Sequence, residues 1–143
     1  MGEFSRFLKL HREEKANVRF AATTAFKDED GNPWEWEFKP LSTAEHDRIR
    51  DNCMVEAKVR GKKGMTQPKL DMSKYIAKMM VACTVEPDLH EVELQDSYGV
   101  MSAEDLIKEL IPNPGEYGKL SVFLQEYNGF DVVEGEMVEE AKN

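Results

Sequence analysis

The side chains best suited to chemistry are few and widely separated along the chain. Three histidines, His11, His46 and His90, and two cysteines, Cys53 and Cys83, fall in five different segments. Metal sites and nucleophilic pairs need such residues at short, recognisable spacings, and neither an HExxH nor a CxxC pattern is present. Each cysteine falls on the apolar side of a predicted helix, where a buried thiol is usually inert. We therefore expect no catalytic residue, no metal site and no cofactor.

A lysine- and glycine-rich run at residues 61–64 superficially resembles a phosphate-binding loop. A P-loop requires GxxxxGK[ST] between a strand and a helix, and this run, GKKG, has neither that spacing nor a predicted strand before it. The pattern favours a solvated basic loop, and the functional alternative is a contact site for an acidic partner.

The composition indicates a soluble protein that binds other proteins. The 143 residues include 28 acidic and 19 basic side chains, for a net charge of −9. This excess argues against binding to nucleic acid or to anionic membranes, which require clustered Lys and Arg. No apolar run approaches the roughly 20 residues that span a bilayer. We expect a cytoplasmic protein with reduced thiols.

The first third of the chain predicts a helix and a β-hairpin. Residues 3–15 combine apolar and charged side chains as in a short amphipathic helix. Apolar side chains then alternate from Val18 to Phe26 and again at Trp34, Trp36 and Phe38, on either side of a turn at residues 28–33. Two alternating segments on either side of turn-forming residues predict an antiparallel hairpin. One face of this hairpin is aromatic, and we expect helices to cover it.

The remainder predicts helices separated by loops. A capping box at Ser42 begins a helix that ends near residue 54, and Asp71 or Ser73 caps the helix that is most apolar, ending before Pro87. Residues 55–70 read as a long loop, mobile or involved in binding. Ser102 caps a further helix, and the last one spans residues 116–128.

The predicted fold class is α+β, with the N-terminal hairpin packed against a bundle of four or five helices. Residues 1–130 are expected to form a single domain, followed at residues 131–143 by a disordered acidic tail.

The last two predicted helices carry a dense set of apolar side chains. Such a stripe is most often core, but it can also present a groove to a partner helix. The candidate partner-binding residues are Leu106, Leu110, Tyr117, Leu120, Phe123, Leu124 and Tyr127.

An ordered set of short segments resembles one known family. These segments include WEW at residues 34–36, KYIAK at 74–78, VACTVEP at 81–87, ELQDSYGVM at 93–101 and EYNGF at 126–130. Together they resemble the XkdN-like tail assembly chaperones of contractile-tailed phages and defective prophages of Gram-positive bacteria.

This resemblance implies a non-enzymatic morphogenesis factor of the host cytoplasm that is absent from the mature virion. Such a factor is expected to bind the long helical tape measure protein and keep it soluble while tail tube subunits, which are possible further partners, assemble around it. Homo-oligomerisation is also possible. Two alternatives stay open: a structural virion protein of the tail, such as a completion or tube-associated protein, and a small hydrolase that uses Cys53 or a carboxylate pair.

Overall fold

The computed structural model describes residues 3–131, which contain both helices and strands. The predicted α+β class is confirmed for this part of the chain. Its strands are β1 (Val18–Phe20), β2 (Trp36–Phe38), β3 (Met54–Lys58), β4 (Thr66–Leu70) and β5 (Thr84–Glu86). Its α-helices are α1 (Thr43–Asn52), α2 (Met72–Cys83), α3 (Val92–Ser97), α4 (Ala103–Leu110) and α5 (Pro114–Tyr127).

The predicted N-terminal hairpin is present, but its first strand is interrupted. β1 pairs antiparallel with β2, and nearer the turn Trp34 N–H donates to the Phe26 carbonyl oxygen at 2.9 Å. Phe20 lies opposite Trp36, and Phe26 is hydrogen-bonded to Trp34. Five residues, 21–25, lie between the two phenylalanines, whereas a single residue lies between the two tryptophans on the facing strand. The prediction of a continuous first strand was wrong, because this surplus of residues must leave the ladder.

The sheet contains a third strand that the sequence did not predict. β5 pairs antiparallel with the other edge of β2, so the strand order is β1-β2-β5. It follows α2 without an intervening loop. β2 is therefore the central strand, and its Trp36 and Phe38 side chains enter the core.

Helix α2 is the centre of the core, as its apolar periodicity predicted. Seven of its twelve side chains are buried, and Met79, Met80 and Cys83 have no exposed surface. Helices α1, α4 and α5 all contact it. Met79 and Met80 therefore fill the core.

The predicted helix caps are confirmed. The Ser42 hydroxyl accepts the Glu45 N–H at 3.1 Å, and the Glu45 carboxylate accepts the Ser42 N–H in return, which completes the capping box. The Asp71 carboxylate caps α2 by accepting the Lys74 N–H, and the Ser102 hydroxyl caps α4 by accepting the Asp105 N–H. Helix α5 begins earlier than predicted, because Pro114 occupies its first turn.

The prediction of a loop at residues 55–70 was wrong. β3 and β4 form a five-pair antiparallel hairpin, from Met54 opposite Leu70 to Lys58 opposite Thr66. Nearly all of its side chains are exposed. Because neither face is buried, the sequence lacks the apolar alternation by which such strands are usually recognised.

The N-terminal segment differs from the prediction, and nearly all of the C-terminal tail lies outside the described residues. Residues 3–15 contain two short 3-10 turns, Glu3–Phe7 and Lys9–His11, in place of the predicted amphipathic helix. None of their side chains is buried, so no packing stabilises a longer helix. The acidic tail predicted for residues 131–143 lies, apart from Asp131, outside the described residues.

Candidate partner-binding surfaces

An apolar groove opens beside Trp34 at the end of the three-stranded sheet. It has a volume of about 270 Å³ and lies where β2, the end of β5 and helix α3 meet. The lining residues are Phe26, Trp34, Glu35, Trp36, Glu86, Pro87, Leu94, Tyr98 and Leu110. Its walls are mostly aromatic and aliphatic, and the acidic side chains at its edge come from Glu35 and Glu86.

Trp34 is the exposed wall of this groove. Its side chain is 56% exposed, whereas Trp36, two residues along the same strand direction, is 4% exposed. The expectation that helices cover the whole aromatic face therefore holds for Trp36 and is wrong for Trp34. A concave apolar surface with an exposed aromatic wall is a typical receptor for apolar side chains of a partner.

Four of the seven predicted contact residues lie in the core. Leu106, Leu120 and Leu124 have no exposed surface, and Leu110 is 4% exposed. Leu106, Leu120 and Leu124 therefore present no surface to a partner, because they are buried in the core beside α2. Only Leu110 reaches a candidate surface, as part of the groove lining.

The other three predicted contact residues, Tyr117, Phe123 and Tyr127, are partly exposed and pack against the core. The Tyr127 hydroxyl donates to the Ala16 carbonyl oxygen, and the Lys15 ammonium lies 4.5 Å from the Tyr127 ring centroid. These contacts fasten the segment before β1 to α5. Tyr127 therefore has a structural role.

A second candidate surface is the β3–β4 hairpin, which extends from the core. At its tip a concave region of about 460 Å³ is lined by Lys58, Val59, Gly61, Lys62, Lys63, Gly64, Met65 and Thr66. The basic run found in the sequence thus occupies the tip of an ordered hairpin. A β-structure here was missed, although the two glycines, with φ of +79° and +82°, are typical of a turn.

A third exposed apolar region precedes β1. Phe4, Phe7 and Leu10 are 71%, 85% and 77% exposed. These side chains face solvent in a segment without buried residues. They add to the apolar surface through which the chain can contact other proteins.

Neither cysteine lines the groove beside Trp34 or the tip of the β3–β4 hairpin. Both cysteines are fully buried free thiols, and burial raises the pKa of Cys83 to about 11 and also raises the pKa of Cys53. Both thiols are therefore protonated at neutral pH, unlike an activated nucleophile. His46 is hydrogen-bonded to the Tyr75 hydroxyl at 2.7 Å.

Residues 3–131 contain neither a grouped set of metal ligands nor a membrane-spanning helix. In this part of the chain no three His, Cys, Asp or Glu side chains are grouped as metal ligands. Within the same limits, no helix is long and apolar enough to cross a membrane.

The comparisons with known proteins agree with the resemblance found in the sequence. The family model of the phage XkdN-like tail assembly chaperone protein matches residues 4–142. The chain belongs to this family. It is therefore a member of a family of phage tail assembly chaperones, which is not a family of enzymes.

Two relatives come from Bacillus subtilis strain 168, and both align along nearly the whole chain. The XkdN protein of the phage-like element PBSX is 24% identical over 141 residues, covering 99% of this chain and 94% of its own length. The uncharacterized protein YqbN is 26% identical over 141 residues, covering 99% and 93%. The crystal structure of YqbN has the same fold, with a TM-score of 0.73 and 23% identity over 92% of this chain and 99% of that one.

Proposed function

We propose that this tail assembly chaperone binds the tape measure protein of its phage or prophage and keeps it soluble during tail tube assembly. It acts in the cytoplasm of the bacterial host and is released before the virion is complete. The observation that carries the proposal is the groove beside Trp34, an open apolar receptor on a member of a chaperone family. A tape measure is a long helical chain whose apolar faces need shielding before assembly.

The groove suits the apolar side of an amphipathic helix. Its exposed wall, Trp34, offers a large rigid ring, and Leu94 of α3 and Tyr98, which follows α3, also line it. A helix bound in such a groove inserts side chains at three- and four-residue spacing. Glu35 and Glu86 at the edge would favour basic residues flanking that apolar stripe.

Release is as necessary for a chaperone as binding. A volume of about 270 Å³ accommodates one or two side chains of a partner helix, so each copy contributes modest affinity. Several copies along one tape measure would add their contributions, while each remains able to dissociate as tube subunits arrive. The partly exposed rings of Tyr117, Phe123 and Tyr127 are a second proposed contact for the same partner.

The test is co-expression of the chain with the tape measure protein encoded in the same phage element. We expect the tape measure to be soluble and to co-purify with the wild-type chain, and to be insoluble without it. Purified mature particles analysed by mass spectrometry should lack the chain. Its stoichiometric presence there would contradict the proposal and favour a structural tail protein.

A further inference from the structure

The β3–β4 hairpin carries a positive charge within a strongly acidic chain. From Met54 to Leu70 it has one acidic residue and five basic ones, for a net charge of +4. The whole chain carries −9, so the other residues carry −13. The basic residues are Lys58, Arg60, Lys62, Lys63 and Lys69.

These positive charges are available to a partner. All five basic side chains are exposed. Within residues 3–131, the ion pairs join Arg12 to Glu14, Arg19 to Glu37, Lys39 to Glu45 and Lys78 to Glu104, and none involves the hairpin.

The hairpin holds these charges in a defined arrangement. At its base the Asp71 N–H donates to the carbonyl oxygen of the buried Cys53 at 2.8 Å. At its tip the Val59 N–H donates to the Met65 carbonyl oxygen at 3.0 Å, and the Met65 N–H donates to the Lys62 carbonyl oxygen at 3.2 Å. Backbone hydrogen bonds thus continue from the core to the tip, so the hairpin backbone does not have to be ordered on binding.

The hairpin is suited to contact through side chains, not through strand addition. Pro68 and Lys69 in β4 disfavour pairing with a further strand, because proline lacks the N–H donor and a charged edge resists edge-to-edge association. Among the charges, Met54, Val55 and Met65 are 40%, 42% and 52% exposed. The hairpin therefore offers apolar contacts surrounded by cations.

A complementary surface lies on the same chain between residues 85 and 101. This segment contains five acidic side chains and neither Lys nor Arg; they are Glu86, Asp88, Glu91, Glu93 and Asp96. It also contains three exposed apolar side chains, Val85, Val92 and Met101, at 41%, 66% and 95% exposure. We call this segment the acidic face.

We propose that the β3–β4 hairpin of one copy docks on the acidic face of a second copy. The two segments carry exposed charges of opposite sign together with exposed apolar side chains, and such complementarity steers association and disfavours like-charged orientations. The two surfaces are different parts of the chain, so the contact is head to tail and can continue through further copies.

Sedimentation velocity of the purified chain tests this association directly. The chain should self-associate in a concentration-dependent manner at about 50 mM salt and dissociate at about 0.5 M, where charges are screened within a few ångströms. A chain that is monomeric at low salt at high protein concentration would overturn the proposal. So would association that is insensitive to salt.

A charge exchange identifies the surfaces. The hairpin variant Arg60→Glu/Lys62→Glu/Lys63→Glu should associate about tenfold more weakly than wild type, or not at all. Its matched control, Lys27→Glu/Lys108→Glu/Lys119→Glu, makes the same change in net charge at exposed positions outside the hairpin and should associate as the wild-type chain does.

The reciprocal variant, Glu86→Lys/Glu91→Lys/Asp96→Lys, reverses the acidic face and should also fail to associate with itself. Mixed with the hairpin variant, it should recover association, because each reversed surface then meets one of opposite charge. Circular dichroism verifies that both variants are folded. Folded variants that do not recover association when mixed would overturn the assignment of these two surfaces.

Discussion

The ring of Phe20 lies flat against the ring of Phe123, with centroids 4.1 Å apart and planes 10° from parallel. The Phe123 ring is also stacked with Tyr127, at 6.3 Å, and meets Phe38 edge-on at 6.4 Å. This row of rings joins strands β1 and β2 to helix α5. Phe123 therefore belongs to the interface between sheet and helices, although its sequence position also suggested a partner contact.

Replacing Phe123 with alanine should destabilise the fold. Loss of the stacked ring is expected to lower the free energy of unfolding by about 3 kcal/mol, as for other large aromatic truncations. Urea denaturation followed by circular dichroism measures this change. The matched control is Phe4→Ala, because Phe4 is 71% exposed and its removal should leave the midpoint unchanged. Equal midpoints for the two variants would contradict the role assigned to Phe123.

Leu120 distinguishes a core residue from a partner contact. It has no exposed surface, so Leu120→Ala should cost about 2–5 kcal/mol of unfolding free energy, and Leu120→Asp should prevent folding by burying a charge. Thermal unfolding and the soluble yield of each variant measure these effects. Val92→Asp, at a 66% exposed position, is the control and should remain folded. A folded Leu120→Asp variant that has lost tape measure binding would restore the surface interpretation.

Trp34 should matter for binding and little for stability. Because its ring is 56% exposed, Trp34→Ala is expected to change the free energy of unfolding by about 1 kcal/mol or less. Loss of an exposed aromatic wall should weaken retention of the tape measure in the co-expression assay by about tenfold or more. Trp34→Phe should retain part of the binding.

Met101→Ala is the matched control for the groove, because Met101 is 95% exposed and does not line it. This variant should retain the tape measure as well as the wild-type chain does. If the folded Trp34→Ala variant binds as tightly as the Met101→Ala control, the groove is not the binding site.

Cys83 should make stability fall at alkaline pH. Burial raises its pKa from an ordinary value of 9.0 to about 11, so above pH 9 the unfolded chain releases a proton that the folded chain retains. The contribution of the Cys83 thiol to the free energy of unfolding is fully present below pH 9. It is lost as the pH rises towards 11, by about 2–3 kcal/mol in total. Urea midpoints measured from pH 8 to about pH 10 should decline, and the decline should be shallower for Cys83→Ala.

Thiol labelling gives an independent measure of the same burial. Neither cysteine has exposed surface, so iodoacetamide should react slowly with the native chain and rapidly in urea. The single variants Cys53→Ser and Cys83→Ser assign the remaining reaction to one thiol. Rapid labelling of the native chain at neutral pH would contradict the buried, protonated state of both thiols.

Local sequence signals determined the caps and the central helix. Ser42, Asp71 and Ser102 cap helices as their side-chain chemistry predicts, because a cap satisfies backbone N–H groups within three residues of itself. The apolar periodicity of α2 likewise predicted its burial. The family resemblance likewise depends on short sequence segments spread over the chain, and the family model that matches residues 4–142 confirms it.

Only the tertiary structure decided which apolar side chains face solvent. Leu120 and Trp34 both belong to predicted apolar faces, yet Leu120 is buried and Trp34 forms the wall of a groove. The pairing of β5 with β2 joins residues almost fifty positions apart, and the surplus residues 21–25 leave the ladder only because Phe26 pairs with Trp34. Such outcomes depend on contacts between distant segments, which a local pattern does not contain, and they place the groove beside Trp34 where no single motif predicted it.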